Sequence, residues 1–257
     1  MSRNFELLTQ LGRMQEILES QVEQPLAVPP SVEGAAPQAE DDFPCTYSLE
    51  MQGAVRDEVS KLVQNLFLAA DGPRRVVFSG TESGCGCSWM CSRAADVLAS
   101  QVRGSVGVVD CNLRAPGLHQ QFGKENQLGL SDALLGSGSV REYAQRLSRN
   151  LWLVSSGSET KNPQDMLGSD RMRVRLSELR ASFDYVLIDA APLNTYNDAI
   201  VLGGLSDGVL LVLKAHSSRR ETAQKALQEL NTSNVRALGA VLNQRTFPIP
   251  DSVYKRL

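Results

Sequence analysis

From residue 75 onward the chain repeats one rhythm. A short, nearly continuous apolar run is followed by a polar turn, then by a longer stretch in which apolar residues recur every three or four positions. The apolar runs are Val76-Val77-Phe78, residues 105–110, Leu151 to Val154, residues 185–189, residues 209–213 and residues 238–242. Between them, residues 165–180, 197–205 and 219–230 carry helical spacing, and shorter helical pieces surround residues 129–135 and 140–147. Apolar runs of this length, rich in Val and Leu and alternating with helices, predict five or six strands of a mostly parallel sheet covered on both faces. Upstream, Val55, Val59, Leu62, Val63, Leu66 and Phe67 share one face of a predicted helix over 49–69, which Asp71-Gly72-Pro73 stops.

The first 45 residues follow a different pattern. Leu7, Leu11, Met14 and Leu18, widened by Phe5, Leu8 and Ile17, form an amphipathic helical stripe within residues 1–20. Residues 21–45 hold five prolines, five acidic residues and no basic one, a composition that predicts an extended tether. The expected organisation is an N-terminal helix (1–20), an acidic Pro-rich linker (21–45) and one α/β domain (46–257). The tether weakens any fixed docking within the chain, so the helix is expected to bind a partner.

Composition narrows the function. A length of 257 residues with 42% apolar and 21% charged positions suits one domain of about 200 residues with extensions. A net charge of -3 offers no argument for nucleic acid. Five cysteines are an odd number, three of them within seven residues, which is no disulfide framework. Nothing resembles a signal peptide, and no apolar run reaches the length of a membrane span. The expected location is cytoplasmic and reducing.

The chemistry concentrates at predicted strand ends. After the strand Val76–Phe78 come Gly80, Gly84 and Gly86, then Ser88 and a helix marked by Ala94, Ala95, Leu98 and Ala99. Strand, glycine-rich turn and helix start are the context of a phosphate-binding loop, where backbone N–H groups converge on an anion. Such a loop closes with Gly-Lys-Ser or Gly-Lys-Thr; here the tripeptide is Gly86-Cys87-Ser88, and the cation is gone. Asp110, Asp189 and Asn243 end three other strands, where parallel sheets place their ligands. Cys85, Cys87 and Cys91, with Cys111 beyond the next strand, raise a second possibility, a thiolate site for Zn²⁺ or an iron–sulfur cluster. The competing account is small apolar filling.

The order of motifs adds a family resemblance. Val109-Asp110-Cys111-Asn112-Leu113-Arg114-Ala115-Pro116 resembles an Asp-x-Asp-Leu-Arg-x-Pro motif, and Gly129-Leu130-Ser131-Asp132 a second segment. Asn162-Pro163 with Met166-Leu167-Gly168-Ser169, and the strand from Phe183 to Asp189 with its trailing Pro192, continue the series. From about Ser48 to Asn243 the chain is similar to the cytoplasmic domain of bacterial tyrosine kinases (BY-kinases), the capsular and exopolysaccharide chain-length regulators, within the deviant-Walker partition-type ATPases. The resemblance implies a three-layer α/β/α, P-loop NTPase-like fold. It implies ATP or ADP with Mg²⁺ at a site cradled by Gly84, Gly86, Cys87 and Ser88, with Mg²⁺ on Ser88 and Asp189. It also implies that Asp110 helps activate the attacking hydroxyl and that Asn243 lies near the base. The implied partner is a membrane polysaccharide co-polymerase or chain-length determinant protein, which would recruit this cytoplasmic protein to the inner membrane.

Four departures from the family pattern point to a degenerate member with weak nucleotide binding. Cys87 replaces lysine, and Asn112 replaces the second aspartate. Only Tyr254 stands where active members carry a C-terminal tyrosine cluster. The ring-forming Glu-x-x-Arg-x-x-Arg helix reads Glu58-x-x-Lys61-x-x-Gln64, which favours a monomer or small homo-oligomer over a closed ring. Three alternatives follow: an impaired kinase-like regulator, an active ATPase or tyrosine autokinase with an unusual loop and Lys214 as the nearest replacement cation, and a nucleotide-free interaction module. Deletion of residues 1–45 is expected to leave the melting temperature of the domain nearly unchanged. A large loss on thermal unfolding would place the helix in the domain core.

Overall fold

The structure, a computed structural model, describes residues 43–244. The expected N-terminal helix, most of the linker and Tyr254 lie outside the described residues. Helix α1 is Gly53–Phe67, followed by β1 (Arg75–Gly80), α2 (Cys87–Gln101), β2 (Val106–Asp110), α3 (Leu118–Gln121) and α4 (Leu130–Leu135). Next come β3 (Gln145–Arg146), β4 (Leu151–Val154), α5 (Pro163–Leu167), α6 (Asp170–Ser182), β5 (Tyr185–Ala190) and α7 (Asp198–Gly204). The last elements are β6 (Gly208–Lys214), α8 (Arg220–Thr232) and β7 (Ala237–Asn243).

The strands form one seven-stranded sheet in the order β3-β4-β2-β5-β1-β6-β7, parallel except for β3. Alternate side chains of each strand leave opposite faces. Val76, Phe78, Val108, Leu187, Leu210 and Val212 pack with α1 and α2, where Val59, Val63, Phe67, Ala94 and Leu98 are buried. Val77, Val109, Ile188, Val209 and Leu211 pack on the other face with residues of α4, α6, α7 and α8. The result is the expected α/β/α sandwich.

Two local readings are corrected. Residues 140–147 are not one helical piece. Val140–Tyr143 makes a single 3-10 turn, held by a reciprocal cap between Ser139 and Glu142, and the chain then extends into β3, antiparallel to β4. This short strand raises the count above the five or six expected. The helix expected over 165–180 is two helices, because Ser169 caps a new start: its side chain accepts a hydrogen bond from the Met172 amide.

The start of β1 is anchored by Asp207 at the start of β6. Its Oδ2 accepts from the backbone N–H groups of Arg74 and Arg75, both at 2.8 Å, and its Oδ1 accepts from Arg75 Nη2 at 2.6 Å. These bonds hold the Asp207 carboxyl below the usual carboxylate range against the opposing effect of its partial burial. Asp207→Ala removes the acceptor for two strand amides and a guanidinium. It is expected to lower stability by about 2 kcal/mol in urea unfolding, the cost of losing a charge-assisted network.

Candidate functional site

The loop after β1 owes its shape to glycine. Gly84 and Gly86 both lie in the left-handed region, at φ 79° and 78°. Gly86 is also the N-cap of α2, and a Cβ there would collide with the Asn243 side-chain amide. Asn243 accordingly holds the loop: its Nδ2 donates to the Cys85 carbonyl at 2.9 Å, and its Oδ1 accepts from the Gln244 amide at 2.8 Å. Asn243, assigned by resemblance to the neighbourhood of a base, is a clamp on the phosphate loop. The first N–H groups of α2 lack intrahelical acceptors and carry the positive end of the helix dipole, so the backbone suits an anion. The side chains do not add to this: residues 79–88 contain no lysine or arginine, and Glu82 is exposed.

Asp110 and Asp189 face each other across β2 and β5 in direct register, both fully buried. Asp110 closes its own loop: Oδ1 accepts from the Asn112 amide at 3.1 Å, and Oδ2 from the Gly117 and Leu118 amides at 3.0 Å each. Burial pushes its pKa up to about 6, against the pull of these three N–H groups. Asp189 has no such support, since neither carboxylate oxygen has a hydrogen-bond partner among the described residues. Its pKa is pushed up to about 7, first by burial and then by the Asp110 charge. The Ser88 hydroxyl and the Cys87 thiol stand close enough to favour its charged form, yet neither completes a well-aligned hydrogen bond to it.

A buried carboxylate with both oxygens unsatisfied is costly unless a cation meets it. Mg²⁺ is held by one or two carboxylates together with phosphate oxygens and water, and Ser88 with Asp189 fits that description. Gly117, which sequence reasoning passed over, belongs to the same place. A Cβ on it would stand 3.0 Å from Ser88 Oγ, so the Asp110 loop lies directly over the serine. Its signal was a glycine closing a motif whose charged residues drew attention first. Asn194, just beyond β5, is another residue the sequence did not single out; its Oδ1 is buried without a partner.

Among the described residues no group of three or more His, Cys, Asp or Glu side chains is placed to hold a metal ion. The Cys85 sulfur faces the Thr81 and Ser218 hydroxyls at 3.8 and 3.9 Å. Cys87 keeps some surface at the loop mouth but is densely surrounded; Cys91 and Cys111 are fully buried. Burial, and after it the Asp189 or Asp110 charge, pushes all three of these thiols well above their ordinary pKa. With no metal at hand they are neutral thiols.

The other singled-out residues flank this site or lie apart from it. Asn112 Oδ1 accepts from the Ala115 amide at 3.2 Å and shapes its own turn. Arg114 forks onto Asp198 through Nε at 3.0 Å and Nη2 at 3.3 Å, and its guanidinium lies 4.0 Å from the centre of the Tyr196 ring. Lys214 ends β6 opposite Asn243, its amide donating to Ser218 Oγ at 3.0 Å. On α1, Lys61 bonds Glu58 at 2.7 Å on an exposed face that also carries Gln64.

Comparison with known proteins gives a consistent picture. No protein-family model matches the chain. Over 171 residues it is 32% identical to the tyrosine-protein kinase YwqD of Bacillus subtilis, covering 66% of this chain and 72% of that protein. Over 173 residues it is 31% identical to the putative tyrosine-protein kinase EpsB of Ralstonia nicotianae, covering 67% of this chain but 23% of that longer protein. Among solved structures, the kinase domain of the Escherichia coli tyrosine kinase ETK superposes with a TM-score of 0.69 at 24% identity, covering 76% of this chain and 79% of the other, which supports the fold.

The Asp189 carboxylate makes a pH prediction. An unfolded aspartate titrates near pH 3.9, whereas Asp189 in the fold holds its proton to about 7. Between those values the folded chain binds more protons than the unfolded one, so stability falls as pH rises through about 4 to 7. The melting temperature is expected to be higher at pH 5.5 than at pH 8. Asp189→Asn should flatten that slope and raise the melting temperature at pH 8; an unchanged slope would mean that Asp189 is already satisfied.

Proposed function

The chain belongs to the bacterial tyrosine-protein kinase family, and on that premise we propose that it is a catalytically impaired member that regulates exopolysaccharide or capsule biosynthesis and export. It acts through a membrane co-polymerase or chain-length determinant partner, recruited from the cytoplasm to the inner membrane, with the amphipathic stripe of residues 1–20 as its docking element. It works as a monomer or small oligomer, since Lys61 and Gln64 replace the arginines of the ring helix.

The observation that carries this reading is Cys87. The loop keeps its left-handed glycines, its helix start and Ser88, but the position that supplies the phosphate-facing cation holds a neutral thiol next to Asp189. Backbone N–H groups of the loop and α2 would bind and orient phosphates, and Ser88 with Asp189 would hold Mg²⁺. Mg²⁺ held there would supply positive charge against the charge that grows on the phosphate oxygens. Asp110 accepts from the Gly117 and Leu118 amides and so orients the loop over Ser88; in this reading it is also the group that would help activate an acceptor hydroxyl. Without a lysine, too little positive charge meets the transition state, where stabilisation affects rate most.

A second reading, an ATPase that still binds nucleotide, is favoured by the unsatisfied Asp189 oxygens beside Ser88. Calorimetric titration of Mg-ATP separates the two. The natural chain is expected to bind ATP weakly or not at all and to show no autophosphorylation. Cys87→Lys is expected to tighten Kd by roughly tenfold or more, the scale of one charge-assisted hydrogen bond. Kinase activity should stay low in that variant, because Asn112 remains. Micromolar ATP binding with steady turnover by the natural chain overturns the impaired-kinase reading in favour of the second.

A further inference from the structure

Beside the phosphate loop, on the far side of the Asp110–Leu118 loop, lies a cavity of about 540 Å³. The segments after β2, β4 and β5 build it. Leu113, Pro116 and Pro163 form apolar walls, and Tyr196, 37% exposed, presents an aromatic ring. One approach to that ring is already held by Arg114, whose charge is matched by Asp198.

The framework of the cavity is preformed. The Asp132 carboxylate accepts from the Gly129 amide at 2.9 Å, the Ser158 amide at 3.1 Å and the Ser158 hydroxyl at 2.7 Å. Asn126 Oδ1 accepts from the Gly157 amide at 2.9 Å. These bonds fix the 155–158 turn and use up its polar side chains. The groups left to meet a ligand are the Lys161 ammonium, the Glu159 carboxylate and the Gln120 amide. Lys161 and Glu159 line the same space, and neither has an ion-pair partner among the described residues.

This set of groups restricts the ligand. A phosphate-rich ligand would be repelled by Glu159, and a purely apolar one would make no use of Lys161, Glu159 or Gln120. A ring with several hydroxyls and one carboxylate answers every group. Its hydroxyls donate to Glu159 and accept from Gln120, its carboxylate meets Lys161, and its C–H face lies on Tyr196 and the prolines. We propose that this cavity binds a uronic acid residue, so that the protein senses the acidic saccharide whose production it regulates; this rests on the polysaccharide reading of its function. The same chemistry comes from two sources, a nucleotide-activated monosaccharide or the polymer itself.

The test uses the full chain and isotope-edited NMR titration with sodium glucuronate, glucose, a glucuronate disaccharide and UDP-glucuronate, with UMP as a control. Glucuronate is expected to shift the signals of Tyr196 and Lys161 at millimolar concentration or below, and glucose to bind at least fivefold more weakly. Lys161→Gln should weaken glucuronate at least fivefold while leaving glucose unchanged, and Tyr196→Ala should weaken both. Both positions are partly or fully exposed, and thermal unfolding checks that each variant remains folded. A stronger response to the disaccharide assigns the polymer as source; a stronger response to UDP-glucuronate, not reproduced by UMP, assigns the activated precursor. No response at these residues, glucuronate binding indifferent to both substitutions, or a response to a phosphotyrosyl peptide alone overturns the proposal. ATP turnover alongside intact glucuronate binding would remove the impaired-kinase reading and leave this site standing.

Discussion

Two carboxylates at the carboxyl ends of neighbouring strands, Asp110 and Asp189, set the terms for everything around them. Neither reaches water, and each raises the cost of charging the other. The two are treated differently. Asp110 is tied to three backbone N–H groups and so determines where the chain from Asn112 to Leu118 runs. Asp189 is left with both oxygens open beside Ser88. A fold carries an unsatisfied buried charge only where something outside the chain is to meet it or where the group stays protonated.

The same arrangement bears on Cys87, the position where a phosphate loop of this pattern carries lysine. The loop from Gly80 to Ser88 is held by glycine conformations and by the Asn243 amide, none of which depends on the side chain at position 87. The cradle therefore keeps its shape while its electrostatics change. A neutral thiol near Asp189 adds no positive charge, and Glu82 adds a negative one. The shape of the loop does not depend on the charge at position 87.

The segments after β2, β4 and β5 form a second region on the same end of the sheet. The Arg114–Asp198 pair and the Tyr196 ring brace one side of it, and the Asp132 and Asn126 bonds brace the other. The cavity between them thus rests on polar contacts that do not involve the phosphate loop.

The sequence by itself determined the layered α/β architecture, because near-continuous apolar strands and periodic helices have few ways to bury both faces of a sheet. It also determined the loop at Gly84 and Gly86 and the placement of Asp110, Asp189 and Asn243 at strand ends, since those follow from element order. Short elements were less legible: β3 has two residues, too few for any periodicity, and the break at Ser169 depends on a side chain turning back to cap a helix. The tertiary structure alone decided the roles. Asn243 proved to be a clamp because the register of β7 against β6 brings it to Cys85, more than 150 positions away in the chain. Asp189 and Asp110 diverged because only one of them has amides within reach. The cysteines, suggestive by spacing, became neutral filling because the sheet buries three of them beside carboxylates that suppress their ionisation. Spacing along a chain specifies which residues share an element; whether they meet a hydrogen-bond donor, a like charge or solvent depends on which elements pack beside them.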